Sequence, residues 1–309
     1  MAEEKKKNYG PAIGDVNELQ VFIGQRGMGK STMECATAFE MVQRYQGQAY
    51  VIGHSLGARM PKKLPDDLGG HELPIVYHSS VESIAKGVAE QPTRWHILAP
   101  PIDLTGRAKH QDSLDDLIEW SIKFSESLRE RAYAREHPIK GAFRAGIARD
   151  YTGIQCPCII ILVDEGIAAE SAGAKGGGVK SQAKKDWFLT WIYSLRHYHT
   201  ALLYAIQNPT ARNWQLLSEA TRVVVFRVKH QWAINAVQAA GGTHAEMRAV
   251  RKLKPHDYIA LGEDPTLADD YEDESDDDEE KSDDGKTATE DAAADGAGEA
   301  VADVVVSTE

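Results

Sequence analysis

The sequence predicts an α/β fold, a mostly parallel β-sheet flanked by helices, with a disordered acidic tail behind it. Three observations predict this. Short apolar runs recur through residues 19–228 and are continuous in Val, Ile, Leu and Ala, which suits parallel strands buried on both faces better than the alternation of a half-exposed sheet. Segments of good helix formers fall between those runs, and strands alternating with helices read as βαβ units. Residues 263–309 carry 20 Asp and Glu against two Lys, a net −18, and a run such as 273–280 has nothing to bury.

The elements follow in order. A polar leader occupies residues 1–17 and one folded domain residues 18–262. The first strand is Leu19–Ile23, bounded by glycine. A helix is expected over 31–45, where Met33, Ala36, Ala38, Met41 and Val42 make one broad apolar face. Further strands are expected at 49–52, 75–77, 95–98, 159–163, 201–206 and 223–228, with helices at 81–90, 114–136, 181–198 and 213–220. The segment at about 101–151, with its long charged helix, reads as a helical insertion. The final Val304, Val305 and Val306 are an apolar patch in the tail, open either to a docking role or to none.

Composition excludes several classes of function. The chain has 309 residues, 42% hydrophobic and 27% charged, with no run of the 18 or more apolar residues that a spanning helix needs. Residues 1–8 are charged where a signal peptide would be apolar, so neither secretion nor a transmembrane segment is expected. Three cysteines, Cys35, Cys156 and Cys158, cannot build a disulfide framework, and their spacing fits no structural zinc site. Cys156 and Cys158 enter an apolar strand and read as small core residues. Without the tail, residues 1–262 hold 33 basic against 27 acidic side chains, a net +6, which is compatible with a polyanionic partner.

The chemistry concentrates in three places. Gly24, Gly27, Gly29, Lys30, Ser31 and Thr32 belong to a run with the spacing Gly-x-x-x-x-Gly-Lys-Ser/Thr. Glycines let backbone N–H groups curl around phosphates, the lysine reaches the β and γ oxygens, and the hydroxyl of Ser31 helps hold Mg²⁺. ATP and Mg²⁺ are the ligands this implies. The run 159–163 ends in Asp164 and Glu165, where Asp164 would orient Mg²⁺ and Glu165 would take a proton from the attacking water. An apolar strand then ends in Gln207, ahead of Asn208 and Pro209, at the strand end where open α/β sheets place ligand contacts. There Gln207 can meet the γ-phosphate or the water, although a strand-end Gln before Asn-Pro, taken alone, is more often a turn former. The glycine- and lysine-rich stretch at 171–185 is either a basic loop touching DNA phosphates or a plain surface connection.

The phosphate loop, the apolar strand ending in Asp164-Glu165, and Arg196-His197-Tyr198-His199 before a strand ending in Gln207 together resemble the FtsK–HerA superfamily. Within it the chain is similar to the genome-packaging ATPases of membrane-containing double-jelly-roll DNA viruses, the poxvirus-type enzymes and their phage and archaeal-virus relatives. The likeness spans roughly residues 19–228. It implies a RecA-like sheet with the glutamine-tipped strand between the phosphate-loop strand and the Asp164 strand. It also implies a homo-oligomeric ring that hydrolyses ATP to drive double-stranded DNA into a preformed capsid, so capsid or vertex proteins become expected partners. The expected location is the packaging vertex of a virion or the host cytoplasm. Arg196 is the first choice for an arginine supplied across a subunit boundary, with Arg212 and Arg222 in reserve, and His197 and His199 are expected to shape that boundary. A cellular or conjugative DNA-pumping motor, and a nucleotide-binding scaffold or switch that does not translocate, stay open as alternatives.

Overall fold

The structure, a computed structural model, describes residues 9–55, 59–100, 107–137, 149–164, 190–207 and 214–263. Among them, eight strands form one sheet: β1 (Leu19–Ile23), β2 (Ala49–His54), β3 (Ile75–His78), β4 (Trp95–Leu98), β5 (Cys158–Val163), β6 (Thr200–Ile206), β7 (Arg222–Phe226) and β8 (Tyr258–Ala260). Their order is β3-β4-β2-β5-β6-β1-β7-β8. Every pairing is parallel except that of β7 with β8. β6 lies between β5 and β1, the order expected from the sequence.

The central strands are apolar on both faces because both faces are covered. Along β5, Ile159, Ile161 and Val163 enter one apolar layer, and Cys158, Ile160 and Leu162 enter the other. β6 divides in the same way, with Leu202, Tyr204 and Ile206 opposite Ala201, Leu203 and Ala205. Side chains alternate across a strand, so two buried layers require apolar residues at every position. Each fully buried Val, Leu or Ile contributes about 1.5–3 kcal/mol, and both strands are buried throughout.

Helix α1 (Lys30–Arg44) covers one face with Cys35, Ala36, Ala38 and Met41. Among the described residues, helices α2 (Val81–Glu90), α3 (Arg107–Glu136), α5 (Gln231–Ala239) and α6 (His244–Lys252) contribute to the opposite layer, with the short α4 (Trp214–Ser218) beside them. α2 begins at a capping box formed by Ser80 and Ser83, which satisfies N–H groups that the first turn leaves without helical partners. α3 runs for 30 residues, starting at Arg107 where the sequence suggested residue 114. Its buried positions, Leu114, Leu117, Ile118, Ser121, Ser125, Leu128 and Ala132, follow the i, i+3, i+4, i+7 pattern from Leu114 onward and so form one stripe. The segment read as an insertion therefore contains a helix that completes the core, and its charged face is simply its outer face.

Residues 229–262 carry structure that the apolar-run reading did not assign. α6 opens with a capping box in which the Thr243 hydroxyl accepts from the Glu246 N–H and the Glu246 carboxylate accepts from the Thr243 N–H at 2.7 Å. The other carboxylate oxygen of the buried Glu246 accepts the Gly262 N–H at 2.9 Å, tying the end of β8 to α6. β8 is only three residues long and partly exposed, too short for a periodic signal. It matters because it holds the turn before it, residues 254–258, next to the phosphate loop.

The cysteines behave as expected. All three are buried free thiols, and burial pushes the Cys156 thiol up to about 11, so they are unreactive core groups.

Candidate active site

The site forms at the carboxyl ends of β1, β5 and β6. β1 stops at Ile23, and the chain that follows is tied to the strands on either side. The Gly24 N–H donates to the Ile206 carbonyl at 3.1 Å, and the Gln25 N–H donates to the Arg227 carbonyl at 3.2 Å. Gly27 and Gly29 then take φ values of 78° and 100°, left-handed conformations that a residue with a Cβ adopts only under strain. That reversal starts α1 at Lys30 with no side chain capping its first turn and no acidic residue within it. The uncapped amides and the positive end of the helix dipole make this terminus a place for an anion.

Lys30 is 6% exposed, and its ammonium donates to the Gln25 carbonyl at 2.9 Å, which folds the side chain across the loop. The Ser31 hydroxyl donates to Asp164 Oδ1 at 2.8 Å. Asp164 is itself 5% exposed, and its Oδ2 accepts from the hydroxyl of Ser55 at 3.2 Å. Ser55 follows β2 and is held there as its N–H donates to the Leu98 carbonyl at 2.9 Å. The carboxylate at the tip of β5 is thus fixed from both sides by hydroxyls.

Lys30, Ser31 and Asp164 line one cleft of about 360 Å³, together with Thr32, Gln207, Arg26 and Arg59, with Ser55 buried behind Asp164. Among the described lining residues Asp164 is the one acid, facing Arg26, Lys30 and Arg59, and three cationic side chains in one cleft suit a polyanion such as a phosphate chain. The structure brings Gly27, Gly29, Lys30, Ser31, Thr32, Asp164 and Gln207 together here, and Gly24 anchors the loop. Glu165 lies outside the described residues, as do Arg212 and the basic stretch 171–185.

Arg196 is not at this cleft. It is exposed in a 3-10 turn, Leu195–Tyr198, ahead of β6, whereas Gln207 follows that strand. A seven-residue strand separates them by roughly 20 Å at about 3.3 Å per residue, so Arg196 cannot serve the phosphate loop of its own chain. Arg222 also begins its strand, and it is held in a two-pronged ion pair with Glu263 at 2.7 and 3.0 Å. His197 is exposed, but His199 is buried and its Nε2 donates to the Cys156 carbonyl at 2.9 Å. Burial lowers the pKa of His199 below the usual imidazole range. Its work is internal, joining β6 to the entry of β5, so it does not belong to a subunit boundary.

Sequence reading missed Ser55, Arg59 and Glu34. Ser55 had a usable signal, since it follows an apolar strand at the end where ligands gather. Glu34 had none, because an acid in the middle of a helix reads as a solvent-facing position. In the structure it is fully buried one turn below Lys30, and among the described residues no hydrogen bond of standard geometry reaches its two carboxyl oxygens. Burial, and then the nearby Asp164 carboxylate, raise its pKa well above the usual range, offset only in part by the Val163 backbone and Lys30.

Oxygen donors suit Mg²⁺, which binds through one or two carboxylates and substrate phosphates rather than a full protein cage. Ser31 and Asp164 are such a pair. Among the described residues no group of three His, Cys, Asp or Glu side chains could hold a metal alone.

No family model and no curated protein matches the sequence. Solved structures similar to it include the genome packaging NTPase B204 from Sulfolobus turreted icosahedral virus 2, in complex with sulfate, at 11% identity and a TM-score of 0.43. That match covers 79% of this chain and 90% of the other. The pCW3 conjugation coupling protein TcpA, in monomer form with ATPgS, is similar at 13% identity and a TM-score of 0.43, covering 81% of this chain and 59% of its own. VirB4 of Thermoanaerobacter pseudethanolicus is similar at 10% identity and a TM-score of 0.43, covering 84% and 93% respectively. Similarity this distant carries no activity, substrate or partner over to the present chain.

The buried Glu34 gives a test of the site's electrostatics in the nucleotide-free protein. Above its ordinary titration near 4.5 the unfolded chain loses this proton while the folded chain keeps it, so stability falls as pH rises from there. Glu34→Gln carries no such proton. It is expected to melt above wild type at pH 8. The difference should shrink toward pH 5. Parallel melting curves across that range would show that the carboxyl is ionised in the fold.

Proposed function

We propose that this chain is an ATP-hydrolysing motor that translocates double-stranded DNA, and that its cargo is a viral genome entering a preformed capsid. The observation that carries the hydrolytic part is the order of strands. Gln207, just after β6, stands between the phosphate loop that follows β1 and the Asp164 that follows β5, so a terminal phosphate held by the loop lies within reach of both the metal-binding acid and a neutral hydrogen-bonding group.

The reaction is attack of water on the γ-phosphate of ATP, with catalysis mainly by positioning and charge neutralisation. Lys30 and the amides of the phosphate loop hold the phosphates. Ser31 and Asp164 would hold Mg²⁺, which when bound supplies charge neutralisation at the β- and γ-phosphate oxygens. Asp164 is positioned for that by the hydroxyl of Ser55. Glu165, next along the chain, accepts a proton from the attacking water, and Gln207 hydrogen-bonds the water or the γ-phosphate and relays the loss of phosphate through β6.

The DNA part rests on charge and motif. Residues 1–262 carry a net +6, and a ring of such subunits attracts duplex through phosphate contacts that weaken with salt. Packaging, rather than a cellular or conjugative transfer, rests on the likeness of the Arg196–His199 segment to the viral ATPases. Capsid or vertex proteins are the partners in this reading, and the packaging vertex or the host cytoplasm is the location. Arg196, at the opposite end of the strands from its own loop, is assigned to the site of a neighbouring subunit.

Two measurements test this. Phosphate release is expected to be stimulated by duplex DNA in wild type and lost in both Lys30→Ala and Glu165→Gln, with ATP binding retained only in Glu165→Gln; a Glu165→Gln rate equal to wild type would remove the assigned base. Rings mixed from Arg196→Ala and Lys30→Ala subunits should regain part of the hydrolysis that each lacks alone. Intact mixed rings with no regained activity would remove Arg196 from the reaction.

A further inference from the structure

The turn at 254–258 approaches the phosphate loop from the side away from Asp164. Along the sheet the order is β5, β6, β1, β7, β8. Asp164 and Gln207 therefore stand on one flank of the phosphate-loop strand, and this turn stands on the other. Strands lie about 4.8 Å apart, which sets β8 roughly 14 Å from β6 across the cleft.

One residue of the turn reaches the loop. His256 lines the cleft with Lys30 and Thr32, and it lies so close to Gly29 that a Cβ there would meet His256 Nδ1 at 2.9 Å. The imidazole thus occupies space that only glycine leaves open. His256 takes φ of 73°, a left-handed conformation uncommon for a residue with a side chain. The turn holds it there: the Asp257 N–H donates to the Lys254 carbonyl at 3.2 Å, and the Asp257 carboxylate accepts the Lys254 N–H at 3.3 Å. Backbone conformations of this kind persist where the surroundings fix them, and they gather at ligand clamps. The exposed ring of Tyr258 lies 5.8 Å from the buried ring of Phe226.

Granting that the cleft takes a nucleoside triphosphate, the direction of the ligand follows. The terminal phosphate belongs beside Asp164 and Gln207, and Lys30 with the loop amides takes the middle of the chain. Ribose and base then leave the cleft on the opposite flank, toward β7 and β8. We propose that His256 is the nucleoside wall of this site, its imidazole stacking on the face of the base. This rests on the nucleotide reading of the cleft and adds a binding residue to it.

Affinities of the full chain for Mg²⁺ with ATP, and for Mg²⁺ with inorganic tripolyphosphate, decide the matter. His256→Ala is expected to weaken ATP roughly ten-fold, the ordinary worth of one base–aromatic stack, and to leave tripolyphosphate unchanged. His256→Phe keeps a flat ring and should keep most of the ATP affinity. Unchanged ATP affinity in His256→Ala overturns the assignment, as does an equal loss for ATP and tripolyphosphate, which would place the histidine against phosphate or loop backbone. A loss in His256→Phe as large as in His256→Ala overturns stacking. Wild-type protein that binds tripolyphosphate no more weakly than ATP overturns the nucleoside wall but leaves the phosphate loop standing, whereas wild type that binds neither overturns the nucleotide reading itself.

Discussion

The hydrogen bond from Ser31 to Asp164, 2.8 Å long, is the contact on which the rest of this structure converges. It joins the first turn of α1 to the tip of β5 although β5 and β1 are not neighbours in the sheet. The contact is possible only because β6 occupies the gap in register with both, Ile23 opposite Ile206 and Val163 opposite Tyr204. Whatever binds at that gap meets the phosphate loop, the acid and the end of β6 at once. A hydroxyl–carboxylate pair reached across a third strand brings residues of β1, β5 and β6 to one place.

Holding that contact has an electrostatic consequence. Lys30, Glu34 and Asp164 are all buried, and burying charge is unfavourable unless the groups are paired or neutralised. The protein meets the requirement differently for each. Lys30 donates to a loop carbonyl, Asp164 accepts from two hydroxyls, and burial raises the pKa of Glu34 well above the usual carboxyl range. Three ionisable groups under one loop are a poor way to stabilise a fold and a common way to build a site.

Much of this was legible in the sequence, for physical reasons that can be named. β1, β4 and α2 fall at Leu19–Ile23, Trp95–Leu98 and Val81–Glu90, as read, because runs buried on both faces end abruptly at glycine, proline or polar residues. The phosphate loop was legible because its chemistry fixes residue type and spacing together. α6 was open to reading through its Thr243–Glu246 capping box but lacks an apolar run. β8 was not, since three residues on a sheet edge carry no period. Ser55, Glu34 and His256 owe their positions to packing between distant segments, and no local pattern records that. His199 shows the converse: a motif drew attention to a residue whose work is a buried bond to Cys156.

The central claim is that Ser31 and Asp164 together form a metal-assisted triphosphate site, and equilibrium binding of ATP across a Mg²⁺ titration tests it most directly. Asp164→Asn retains an acceptor for the Ser31 hydroxyl but removes the charge that attracts the ion. The account predicts that Mg²⁺ tightens ATP binding to wild type and that this gain disappears in Asp164→Asn. An equal gain from Mg²⁺ in both proteins would contradict it.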